Sequence, residues 1–192
     1  MSDAIEKREW TLEEWLNTEL EPRYEFEDGG LIPMAAPTKR HQDIVLLMGY
    51  EMRRFCRVNR LGTVAMGIDV VLSPRRGYIP DLVFVRRERE EKVLTPQGKM
   101  IGVPDLVVEV VSPGGYIRDA VRKLRTYQEA GVPWYWLIEA ETLAIQELQL
   151  TPEGYLVRST ADAGEVFRPA ALPGFEINLQ ELLEEGESNG AE

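Results

Sequence analysis

The chain is poor in the residues that thiol and soft-metal chemistry require, with one cysteine, Cys56, and one histidine, His41, among 192 residues. A single cysteine cannot close an internal disulfide, and no Cys/His cluster is present to hold zinc. Nucleotide-binding glycine loops are missing as well. There is no Gly-x-Gly-x-x-Gly, no P-loop Gly-Lys-Ser/Thr, and no Gly-x-Ser-x-Gly elbow to make His41 part of a serine hydrolase. No apolar run approaches the roughly 18 residues of a membrane helix. Met1 to Lys7 lack the basic-then-apolar order of a signal peptide, so a cytoplasmic location is expected. Bases are also short, 22 against 33 acids for a net charge of −11, which argues against a protein that coats nucleic acid through its overall field and leaves a local basic groove open. Locally the bases cluster, at Arg53-Arg54, Arg57, Arg60, Arg75-Arg76, Arg86-Arg87 and Arg118 to Arg125.

What is present is an α/β pattern. Thr11-Leu12-Glu13-Glu14 has capping-box spacing for a short helix bearing Trp15. Tyr24-Glu25-Phe26-Glu27, the turn Asp28-Gly29-Gly30 and Leu31 to Met34 predict a hairpin. Thr38 caps a long helix from about Lys39 to Asn59, with Ile44, Leu47, Met48, Met52 and Phe55 along its apolar line. Strands are expected at Thr63–Leu72 and Ile79–Arg86, followed by an exposed excursion from Glu88 to Ile101. Pro104 to Val111 forms the next strand, Ser112 to Gly115 a turn, and Tyr116–Ala130 a helix with Ile117, Val121 and Leu124 as its core stripe. Three more strands, at 134–139, 143–150 and 155–159, precede a short final segment. With no repeat or linker, the pattern predicts one domain over residues 11–183, a mixed β-sheet flanked by helices, and an acidic, disordered tail over 184–192.

The chemistry gathers on two of these strands. Asp105, Val107, Glu109 and Val111 share one face of theirs, opposite Leu106, Val108 and Val110, and a carboxylate inside an apolar strand needs compensation. Asp81 opens the other strand. If the two strands pair, Asp81 and Glu109 converge on one hard cation, Mg²⁺ or Mn²⁺, with a backbone carbonyl beside Glu109, that of Val110, as a third ligand. Lys123 falls on the border of the following helix, from where its ammonium reaches the site's edge and stabilises the attacking water or the phosphate.

Pro80-Asp81, Pro104-Asp105-Leu106-Val107-Val108-Glu109-Val110-Val111-Ser112-Pro113, Asp119, Lys123, Tyr127 and Gly131 to Leu137 together resemble the Uma2 family of restriction-endonuclease-like PD-(D/E)XK proteins. The resemblance extends upstream to Tyr24 through Met34 and His41. It implies a restriction-endonuclease-like core and a nuclease acting on nucleic acid, DNA before RNA, with Asp81 and Glu109 as Mg²⁺ ligands. The general pattern places a lysine two residues after the Glu. Here Val111 stands there, and the resemblance assigns that role to Lys123. It also raises Glu25, His41 and Tyr127 as accessory site residues.

Each candidate has a plainer reading. Glu109 can sit in a structural ion pair, Lys123 can pair with Asp119 in solvent, and Glu25 can be a solvent-side strand acid. His41 can cap its helix, Tyr127 can be core, and Asp105 can cap a strand start. The alternative to an enzyme is a catalytically weak nuclease fold kept to bind nucleic acid or a protein. The apolar stretch from Trp134 to Leu150 is the expected surface for a homodimer.

Overall fold

Alternating apolar residues build two sheets here instead of one. The computed structural model describes residues 8–111 and 116–188. In chain order its elements are α1 (Leu12–Asn17), β1 (Tyr24–Glu27), β2 (Gly30–Pro33), α2 (Lys39–Val58), β3 (Gly62–Met66), β4 (Val70–Ser73), β5 (Arg76–Tyr78) and β6 (Leu82–Arg86). They continue with α3 (Glu90–Val93), β7 (Met100–Ile101), β8 (Leu106–Val111), α4 (Tyr116–Ala130), β9 (Trp134–Glu139), β10 (Ile145–Thr151), β11 (Gly154–Ala161) and α5 (Leu179–Ser188). The larger sheet runs β11-β10-β9-β8-β6-β3 and the smaller β2-β1-β5-β4-β7. In the larger sheet β8 and β9 are parallel, joined by the α4 crossover, while the remaining pairs are antiparallel.

The expected strands at Thr63–Leu72 and Ile79–Arg86 are each broken where the chain changes sheets. The first breaks at Gly67, whose φ of +57° leaves the extended region, and resumes as β4. The second keeps only Leu82–Arg86 in the larger sheet, with Ile79-Pro80-Asp81 as the return crossing. The two crossings are bonded to each other, the Gly67 N–H donating to the Asp81 carbonyl at 3.1 Å.

Three apolar layers follow. One face of the larger sheet, including Leu82, Phe84, Val108, Val110 and Trp136, packs against Ile44, Met48 and Met52 of α2. Its other face, with Val83, Val107 and Tyr135, meets Val70, Tyr78 and Met100 of the smaller sheet. The smaller sheet's outer side takes Trp10, Trp15, Tyr24 and Phe26. The α1 capping box is formed, and Trp15 lies so close to Gly77 that a Cβ there would come within 2.4 Å of its ring.

Other expectations change. The Glu88–Ile101 excursion is anchored by buried Val93 and Met100, and β7 pairs in parallel with β4. Trp136, Ile138, Ile145 and Leu148 are interior, Trp136 packing on Phe167 and Phe175, so the Trp134–Leu150 stretch is not an exposed apolar surface. On α4 the buried residues are Lys123, Thr126 and Tyr127; of the expected stripe Leu124 packs on the core, Val121 is 52% exposed, and the Ile117 side chain lies outside the described residues. The helix is phased by its charged and hydroxylated face, because that face meets the carboxylates described below. Ser112 to Gly115 and residues 189–192 lie outside the described residues, and α5 extends to Ser188.

Cys56 lies on the buried face of α2, and burial pushes its thiol up to about 11. At pH 8 the native protein should therefore resist iodoacetamide, with alkylation proceeding only at the rate of unfolding. Labelling of folded protein as fast as of protein in urea would mean that α2 does not stay seated.

Candidate active site

The first half of the site lies at the seam between the sheets. The β6–β8 register pairs Leu82 with Val108, which sets Pro80 opposite Val110. Proline has no N–H to give the ladder, and Asp81 fills part of the gap: its Oδ2 accepts from the Val110 N–H at 2.8 Å. Within a strand, a residue's N–H and C=O point to the same side, so the Val110 carbonyl faces the seam too. The Thr38 hydroxyl accepts from the His41 N–H at 3.2 Å at the start of α2. This places the His41 imidazole with Nε2 at 3.1 Å from Asp81 Oδ2. His41 has its pKa raised, first by the hydrogen bond to Asp81 and further by the Asp81 and Glu109 charges and the Val110 carbonyl, against the opposing effect of burial.

The second half is a buried charge cluster. Glu109 projects from β8 on the face shared with Val107, and it is 4% exposed. Lys123 Nζ lies 3.2 and 3.1 Å from its two oxygens and 3.0 Å from Glu25 Oε1. The contact to Glu25 falls outside hydrogen-bond geometry at that oxygen and is Coulombic. The Tyr127 hydroxyl donates to Glu109 Oε1 at 2.5 Å. Burial pushes the Glu109 carboxyl up to about 8; Lys123 and the tyrosine hydroxyl pull it down, while Asp81 and Glu25 push it up. Glu25 does lie opposite Tyr24 and Phe26, but the smaller sheet faces the larger one there, so the expected solvent-side acid is buried.

Sequence reasoning missed the outer part of this network. Arg122 donates to Glu25 Oε2 at 2.6 Å, to Glu27 Oε2 at 2.9 Å and to the Tyr78 hydroxyl at 2.9 Å, and Arg76 pairs with Glu27. Arg122 and Arg76 are thus bound within the fold. The available signal was Glu25 and Glu27 on one strand face together with consecutive bases, Arg122-Lys123, on a helix. Asp105 belongs elsewhere: it accepts from the Arg86 N–H at 2.9 Å and pairs with Arg89 at 2.8 Å at the other end of β8. Glu147 is buried as well, but it accepts from Trp136 Nε1 and the Ala170 and Ala171 N–H groups and lines no part of the cleft.

Glu25, His41, Asp81, Glu109, Val110 and Lys123 line one cleft of about 450 Å³, walled on one side by the segment from Ile32 to Thr38. Among the described residues no group of three or more His, Cys, Asp and Glu side chains is gathered at ligand spacing. A hard divalent cation needs less, since one or two carboxylates with water and substrate oxygens suffice. Asp81 Oδ1 carries no hydrogen bond among the described residues, and with Glu109 and the Val110 carbonyl it makes an all-oxygen donor set that fits such an ion.

Two sheets crossed at a carboxylate-lined seam and flanked by helices define a restriction-endonuclease-like fold. The comparisons agree. A crystal structure of a putative nuclease belonging to DUF820 from Anabaena variabilis ATCC 29413 superposes with a TM-score of 0.70 at 18% identity, covering 91% of this chain and 98% of that one. The Uma2 family model, described as "Putative restriction endonuclease", matches residues 11–180, and the chain belongs to that family. No curated protein matches the chain. Among the described residues no helix is long and apolar enough to cross a membrane.

Removing Lys123 leaves Glu25 and Glu109 facing each other without their shared cation. Lys123→Met should cost about 3–5 kcal/mol in urea unfolding, against at most about 1 kcal/mol for Arg168→Met at the exposed pair with Glu176. Adding Glu25→Gln to Lys123→Met should restore part of the loss. Equal losses from Lys123→Met and Arg168→Met would contradict the buried cluster.

Proposed function

We propose that this chain is a divalent-metal-dependent endonuclease that hydrolyses DNA phosphodiesters. The observation that carries the reading is the convergence of Asp81 Oδ1, the Val110 carbonyl and Glu109 on one cleft, with the Lys123 ammonium against Glu109. The family's description and the nuclease from Anabaena variabilis support it. Asp81, Glu109 and Val110 would hold Mg²⁺ or Mn²⁺. Such an ion, when bound, supplies Lewis-acid polarisation and charge neutralisation at the phosphate.

The remaining steps fall to the chain's own residues. Lys123, fixed between Glu25 and Glu109, orients the attacking water and stabilises charge developing on the phosphate oxygens. It does so from α4, where Val111 leaves the strand position without a lysine. Tyr127 holds Glu109 in one rotamer, and Arg122 does the same for Glu25. His41 Nε2, on Asp81, keeps a proton at the cleft for the leaving oxygen. With Trp134 to Leu150 largely interior, a second copy would meet the β11 edge, where Leu156 and Val157 are exposed.

A second reading, a nuclease fold kept as a binding module, draws on Glu109 having both oxygens engaged by Lys123 and Tyr127. Cleavage of labelled single- and double-stranded DNA separates the two. Wild type should cut with Mn²⁺ or Mg²⁺ and not with EDTA, and Glu109→Gln and Asp81→Asn should lose about 100-fold or more while remaining folded. Mg²⁺ should raise the melting temperature of wild type and not of the variants. Failure of the wild type to cut DNA despite metal-induced stabilisation favours the binding module.

A further inference from the structure

At the far end of α2 the molecule carries a second concavity. His41 and Arg57 are sixteen residues apart on one helix, which at 1.5 Å per residue puts them about 24 Å apart along its axis. The concavity, of about 290 Å³, is bordered by Arg53 and Arg57 in the last turns of α2, by Arg60 just beyond them, by Arg87 after β6, and by Thr63 and Glu90.

Three observations single it out. Most other arginines of this acidic chain are engaged with carboxylates: Arg23 with Asp69, Arg54 with Glu51, Arg75 with Asp28, Arg89 with Asp105 and Arg122 with Glu25. The guanidiniums of Arg53, Arg57, Arg60 and Arg87 have no hydrogen-bond or ion-pair partner among the described residues. Second, the local negative charge does not balance them. Glu90 contributes one charge and accepts from the Thr63 hydroxyl at 2.6 Å, and the α2 dipole contributes about half a charge. Third, Arg60 stands just past the Asn59 C-cap with φ +56°, where glycine is the usual residue because L side chains rarely adopt that conformation. A backbone preference is overridden there by an arginine that borders the concavity.

We infer that Arg53, Arg57, Arg60 and Arg87 form a binding site for phosphate oxyanions, separate from the carboxylate cleft. Guanidinium forks match phosphate oxygens in bidentate geometry, and a volume near 300 Å³ takes one or two phosphate groups and little more. The phosphates come either from a free anion or from the backbone of a nucleic-acid strand. The inference does not depend on the nuclease reading.

Pyrophosphate in EDTA, with KCl matched for ionic strength as the reference, is the probe. It should raise the wild-type melting temperature by about 5 °C at roughly 100 times its Kd. Arg57→Gln should abolish the shift. Arg60→Gly should abolish it too, while raising the melting temperature of the protein alone, because glycine relieves the left-handed backbone. Glu109→Gln should keep the shift. Anisotropy of a labelled 20-nucleotide DNA in EDTA then identifies the source. Weaker DNA binding by Arg57→Gln, with pyrophosphate displacing DNA from wild type, assigns the site to a strand backbone. Unchanged DNA binding beside a lost pyrophosphate shift assigns it to a free anion. A pyrophosphate shift no larger than that of KCl, or one that survives both Arg57→Gln and Arg60→Gly, overturns the inference.

Discussion

The interaction on which the rest of the site depends is the ammonium of Lys123 held between Glu25 and Glu109. The two carboxylates come from different sheets, and the lysine comes from the helix that links the parallel strands of the larger one. Buried ions of this kind are tolerated only where partners and hydrogen bonds replace their hydration. Tyr127, Arg122 and, at one remove, Glu27, Tyr78 and Arg76 supply that replacement. The electrostatics thus fix how α4 sits, and α4 in turn covers the apolar layer between the sheets.

The same cluster keeps a carboxylate in an apolar strand without making it inert. Glu147 shows the other solution, a buried carboxylate satisfied by three N–H groups and closed off from the cleft. Glu109 is instead balanced by a lysine, faces a cleft, and has its carboxyl held up by burial and by the Asp81 charge.

Much of this was legible from residue order. Two-residue alternation put Glu109 and Val107 on one face and Val108 and Val110 on the other, and the structure has them so. The caps at Thr11 and Thr38 were readable because their chemistry is local. The phase of α4 was legible only in part: Leu124 packs on the core as the apolar stripe gives it, but Val121 is exposed, and Lys123, Thr126 and Tyr127 turn inward for partners on strands far away in the sequence. Glu25 misled for the same reason, since alternation gives the face and not what lies across from it. The sheet changes at Gly67 and at Pro80-Asp81 escaped because apolar residues continue through both.

The two crossings work as a suture. Gly67 is stitched to Asp81, and each crossing is three residues long, Gly67 to Asp69 and Ile79 to Asp81, so the chain at the seam restricts where Asp81 sits along β8. One residue more or fewer there would slide the Asp81 carboxylate along β8. The excursion from Arg87 to Asp105 leaves and rejoins the larger sheet at its opposite end, pinned there by buried Val93 and Met100 and by the β7–β4 pairing. The architecture therefore holds Asp81 by its two shortest crossings and fastens the longer excursion at the end of β8 away from Glu109.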